Sequence, residues 1–157
     1  MEHEKIDPDK VKDTVQSLIE ALRDSQNGHR FAAEHASNPE LKTLFNEVSL
    51  KRGQFAGDLE REVVRLGEND PKREGTTKGS LHRMWFEMKS KLGAGDDEGV
   101  LAWVEQGEDH IKEQYKEVLQ VKLPSDVVEL IDRQSLEIIS THDKVRELRD
   151  RFKKRVA

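Results

Sequence analysis

Apolar residues along this chain recur at intervals of three and four in four separate stretches, the spacing that puts side chains on one face of an α-helix. In the first, Val11, Val15, Leu18, Leu22, Ser25, His29 and Ala32 share a face. Asp7 before Pro8 supplies a capping side chain and a first-turn proline, so a helix is predicted over about 8–36. Asn38-Pro39 ends that helix and starts another. Its stripe, Leu41, Phe45, Val48, Arg52, Phe55, Leu59, Val63 and Leu66, is closed by Gly67 and predicts a helix over about 39–67. A third stripe, Val100 or Leu101, Val104, Glu108, Ile111, Tyr115, Val118 and Lys122, predicts a helix over about 97–122. Leu123-Pro124-Ser125-Asp126 is a tight break before the fourth, Val127, Ile131, Gln134, Ile138, Thr141 or His142, Val145, Leu148 and Phe152, over about 125–154.

Between the second and third stripes, "ENDPKREGTTKGS" is rich in Gly, Pro, Thr and charge and reads as a loop. Leu81, Trp85, Met88 and Leu92 then mark a short helix over about 80–92 before "GAGDDEG" breaks it. Two short turns and one long middle connection make two antiparallel pairs joined by a crossover. The expected fold is all-α, a single ferritin-like four-helix bundle spanning 1–157, with the long helix 2–3 crossover carrying the short extra helix. An up-down-up-down bundle would leave so long a connection unexplained.

Composition narrows this picture. Charged residues make up 38% of the chain and apolar residues 34%, with 5% aromatic, which suits amphipathic helices better than a sheet or a compact cofactor pocket. The 27 basic and 32 acidic residues give a formal charge of −5, so no global attraction to nucleic acid or an anionic membrane is expected. The absence of cysteine excludes disulfides, thiolate metal sites and cysteine nucleophiles. The opening "MEHEKIDPDK" lacks the basic and then apolar run of a signal peptide, and no window approaches the ~18 apolar residues of a membrane span. The expected setting is cytoplasmic.

Chemistry in such a bundle belongs where a polar residue interrupts a core stripe. Those residues are Ser25, Gln26 and His29 on helix one, Arg52 on helix two, Glu108 on helix three, and Gln134 with Thr141 or His142 on helix four. Di-iron bundles carry a Glu on each of two helices and Glu-x-x-His on each of the other two, because two hard cations need several carboxylates. The residues three before the histidines are Gln26, Ala32, Gly79, Gly107 and Ile139, none of them acidic. Arg52 puts a cation where a ligand would stand. Arg52 and Glu108 are therefore expected to form a buried salt bridge, with Gln134 or a helix-one polar group taking the remaining donors, in a network of Arg52, Glu108, Gln134 and His142. A rival metal reading would draw on Gln26, Glu105, Glu108 and His142. Glu105, Asp109, His110 and Glu113 lie off the stripe and are expected on a solvated face.

Gly28, Gly53, Gly57 and Gly107 fall inside helices at a cost of up to ~1 kcal/mol each relative to alanine, which predicts close helix approach or room for a neighbour's long side chain. A small-molecule slot between helices is the sharper version of that reading. "LHRMWFEMKSKL" is basic and aromatic, but with Glu87 among its charges it is expected to cap the side of the bundle rather than bind a membrane. No phosphate loop, nucleophile elbow or zinc spacing appears.

Taken together, "GHRFAAEHASNPELKTLF", "RGQFAGDLEREVVRLG", "KGSLHRMWFEMKSKL", "EQGEDHIKEQYKEVL" and "LPSDVVELIDRQSLEIISTHDKVRELRD" resemble a family of uncharacterised bacterial four-helix-bundle proteins, a domain of unknown function in the ferritin-like superfamily. The resemblance covers roughly 8–155. It implies a ferritin-like bundle in a bacterial cytoplasm, with recurrent polar positions at Arg52, Glu60, His82, Trp85, Glu105, Glu108, Gln134, His142 and Asp143. It also implies a carboxylate in relatives where this chain has Gln26 and an aromatic where it has His29. The expected role is that of a non-enzymatic, structural or stress-associated interaction module without an intact di-iron centre and without a cofactor. The alternative is a degenerate ferritin-like metalloprotein that binds or oxidises iron or manganese. A homodimer through an outer helix face is the expected assembly.

Overall fold

The computed structural model describes residues 6–67, 87 and 95–156, and among these the chain is entirely helical, without a strand. The helices are α1 Pro8–His35, α2 Pro39–Arg65, α3 Asp97–Val118 and α4 Ser125–Val156. The expected short helix over 80–92, with His82 and Trp85, lies outside the described residues apart from helical Glu87. Among the described residues, no helix is long and apolar enough to cross a membrane.

Local chemistry sets the ends. Asp7 caps α1 by accepting from the backbone N–H of Asp9 at 3.0 Å, ahead of Pro8. Asn38 does the same for α2, accepting from Glu40 N at 2.8 Å ahead of Pro39. Asp96 caps α3 through Gly99 N at 2.9 Å. Gly67 follows α2 at φ +101°, the left-handed conformation that costs glycine little. α3 stops at Val118 rather than running to 122. The backbone there tightens into i→i+3 bonds, Gln120 N to Glu117 O and Val121 N to Val118 O, both 3.0 Å, and Lys122 is exposed instead of extending the stripe.

The buried faces form two apolar clusters. One gathers Val11, Val15, Leu18, Ile19 and Leu22 of α1 with Ala56, Leu59 and Val63 of α2, Ile111 and Tyr115 of α3, and Val127, Ile131 and Ile138 of α4. The other joins Ala32 and Ala33 to Leu41, Phe45, Val100, Leu101, Val104, Val145 and Leu148. The start of α1 thus lies with the ends of α2 and α3 and the start of α4, so α1 and α4 run one way and α2 and α3 the other. α1 packs along α2 and α3, and α3 along α4, whereas the α2 and α4 backbones lie farther apart and meet through long side chains such as Gln134. Ile19 and Ala56 are fully buried core positions beside the predicted stripes. Between the two clusters, beside Gly28 and Val48, lie the buried polar residues His29, Ser49, Arg52, Glu105, Glu108 and His142.

At that level the glycines behave differently from one another. A Cβ on Gly53 would lie 2.7 Å from Gln26 Nε2, and one on Gly28 would lie 3.2 Å from the Trp103 ring, so side chains occupy the space at both. Gly107 does not make room for a neighbour as expected: it is exposed, with nothing within 4 Å of a Cβ placed there. With no contact to lose, Gly107→Ala is expected to stabilise the fold by about 0.5–1 kcal/mol through helix propensity, seen as a raised thermal midpoint.

Candidate functional site: a buried carboxylate between two basic side chains

The polar layer exists because each helix places one or two long polar side chains on its core face between the apolar clusters. At its centre is Glu108 of α3, fully buried. Arg52 of α2 donates from one terminal nitrogen to Glu108 Oε2 at 2.9 Å and from the other to Ser25 Oγ of α1 at 2.9 Å. His29 of α1 brings Nε2 to 3.0 Å from Glu108 Oε1. The two atoms are close but not aligned as a hydrogen bond, and neither has another aligned partner. The other ring nitrogen, Nδ1, lies 2.8 Å from the Ser25 carbonyl, and Phe45 flanks the ring at a centroid distance of 6.2 Å.

Burial by itself would raise the Glu108 pKa, but the His29 contact and the Arg52 charge outweigh it and hold the group at about 2 against an ordinary 4.5. A carboxylate held that low is a poor proton acceptor at neutral pH, and its burial keeps substrates away. Its chemistry is that of a fixed counter-ion.

The other predicted site residues do not join this group. Gln134 is buried but leaves Arg52 alone: it accepts from the Tyr115 hydroxyl at 2.8 Å and donates to the Phe55 carbonyl at 3.3 Å. Burial pushes the Tyr115 pKa well above its usual range, so this hydroxyl stays a donor. Ser25 takes the donor that Gln134 does not. His142 is also buried, on the α3–α4 seam, with Nε2 2.5 Å from Asp109 Oδ1 and Nδ1 3.1 Å from Asp143 Oδ1. The expected single network is therefore three separate groups, because the side chains leave neighbouring helices in different directions.

Glu105 corrects the expectation of a solvated face. It is 6% exposed, covered by Arg149 at 2.9 Å and Arg146 at 3.8 Å from α4. His110 and Glu113 are exposed, and Asp109 is exposed while reaching His142. Gln26 accepts from Arg23 at 2.9 Å, and Arg23 also pairs with Glu60 at 2.7 Å across α1 and α2. Thus Gln26, Glu105, Glu108 and His142 do not converge. Among the described residues, no three or more His, Asp or Glu side chains are grouped to hold a metal ion. A di-iron pair does not fit here: both acids of the layer are on α3, each already faces protein cations, and α2 offers Arg52. His29 and Ser25 were visible as polar breaks in the first stripe. Asp109, Arg146 and Arg149 gave no periodic signal, because they act from the edges of their helices.

Comparison with known proteins adds one assignment. A family model described as a domain of unknown function (DUF2383) matches residues 10–121, which hold α1 from its third residue, α2, α3 and the whole Arg52, Glu108 and His29 group. No curated protein matches the chain.

Removing one member of this group strands the others. Arg52→Ala is expected to cost about 3–5 kcal/mol in denaturant unfolding, whereas the combined Arg52→Met and Glu108→Leu replacement should cost much less than the two singles added together. Additive losses would show that the charges do not depend on one another. The low Glu108 pKa also sets a pH window. Its folded-state value lies below the unfolded one, so about 3 kcal/mol of stability is present above about pH 4.5 and is lost as pH falls toward 2. Acid titration of Glu108→Gln against the parent chain should show that part of the acid sensitivity missing.

Proposed function

The chain belongs to the DUF2383 family, a domain of unknown function, and from its core we propose that it is a non-enzymatic ferritin-like bundle that acts as an interaction module. The observation that carries this reading is the Glu108 carboxylate, paired with Arg52 and flanked by His29 of the same chain. In a ferritin-like protein the buried carboxylates are balanced by metal ions; here side chains supply the positive charge. The ferritin-like arrangement is supported by the directions of the helices. α2 finishes and α3 begins at opposite ends of the bundle, which an up-down-up-down connection does not produce.

With the core closed, the outer faces carry the function. Leu50 on α2 and Leu136 on α4, 68% and 64% exposed, give those faces apolar points of contact. A homodimer, and a stress-associated role in a bacterial cytoplasm, belong to the same reading and rest on the family resemblance. The glycine positions give little support to a small-molecule slot, since Trp103 and Gln26 stand against two of them.

Iron uptake tests the reading. Protein purified without a histidine tag, incubated in air with ferrous iron and desalted, is expected to retain iron far below one atom per chain by plasma mass spectrometry. Retention of about two irons per chain would overturn the proposal in favour of a degenerate metalloprotein.

A further inference from the structure

The middle of α3 is where the other three helices deliver their positive charge. His29 comes from α1 and Arg52 from α2, both to Glu108; His142 comes from α4 to Asp109; Arg146 and Arg149, also from α4, reach Glu105. The three arginines keep their charge at any ordinary pH. The two histidines belong to the side-chain type whose charge changes between about pH 5 and 8.

Both histidines are buried, and the nearest oxygen at each ring nitrogen is a carbonyl or carboxylate oxygen, which accepts; His29 Nδ1 also has the Ser25 hydroxyl at the longer distance of 3.4 Å. His142 has Asp109 Oδ1 at Nε2 and Asp143 Oδ1 at Nδ1, so it makes both hydrogen bonds only when its ring carries two protons. His29 points Nδ1 at the Ser25 carbonyl, where it must donate. Its Nε2 then meets the Glu108 carboxylate either as a second N–H or as a lone pair turned on a negative charge. The charged groups facing His29 are Glu108 from α3 and, bound to the same carboxylate, Arg52 from α2. Those facing His142 are Asp109 from α3 and Asp143 from its own helix.

We propose that His29 and His142 form a proton-dependent clasp on α3, closing on the consecutive acids Glu108 and Asp109 from two different neighbouring helices. The sign follows from the bonds. The clasp is complete on the acid side of the histidine range, where both rings are cations, and is released as pH rises through it. Glu108 remains an anion throughout that range. On the alkaline side the charged contacts on Glu105 and Glu108 are those of the arginines alone, and the central turns of α3, though still packed in the apolar clusters, open more readily than at low pH.

The test uses the full chain. Ring nitrogen NMR of His29 and His142 from about pH 5.5 to 8.5 is paired with amide hydrogen exchange of residues 104–112, corrected for the intrinsic pH dependence of exchange. Both rings are expected to hold two protons at the acid end and to lose one within the range. Protection of residues 104–112 should fall roughly ten- to a hundredfold with that loss, the equivalent of a charge-assisted hydrogen bond. Asp109→Asn, an exposed and nearly isosteric change, should remove the His142 share and keep that of His29. Neutral rings across the whole range, or α3 protection that does not move as the rings titrate, would overturn the proposal. So would Asp109→Asn behaving as the parent chain. These readouts are independent of iron retention, so the two proposals fail separately.

Discussion

A single buried carboxylate organises the centre of this bundle. Moving Glu108 out of water carries a penalty of several kcal/mol that no apolar contact can offset, so it is tolerable only with positive charge beside it. Arg52 supplies that charge from α2, and His29 stands against the same carboxylate from α1. Such a group need not add stability over a well-packed apolar core. What it adds is discrimination: sliding α1, α2 or α3 by one turn would bury at least one of these charges without a partner. The apolar clusters above and below are built from interchangeable aliphatic side chains and would tolerate such a slip more easily. The polar layer is therefore the element that selects one register.

The distribution of sign among the helices follows from the same constraint. α3 presents Glu105, Glu108 and Asp109 in little more than one turn, while α1, α2 and α4 present His29, Arg52, His142, Arg146 and Arg149 toward it. These three acids thus meet basic side chains from all three neighbouring helices. The three acids differ in environment, from the fully buried Glu108 to the seam where Asp109 is exposed.

The same closure bears on function. A carboxylate that is already paired with Arg52, inaccessible and held at about 2 has little proton affinity to use at neutral pH. On the reading proposed above, the core has become internal architecture, and the properties open to a partner are the outer helix faces and the looseness of α3.

Periodicity and caps were enough to determine the elements: four amphipathic helices begin at Pro8, Pro39, Asp97 and Ser125 because proline, Asp and Asn signals and the three-and-four spacing act within one or two turns. The sequence also marked Arg52 and Glu108, since a charge inside an apolar stripe must be buried with its helix face. It determined nothing about partners drawn from stripe edges. Glu105 looked solvated because its own helix places it beside the stripe, and only the arrival of Arg146 and Arg149 from α4 covers it. Gln134 looked like a partner for Arg52 until Tyr115 proved nearer. Helix formation is governed by neighbours three and four residues apart, but which long side chains meet across a bundle depends on the rotation and offset of whole helices, and those are decided by packing.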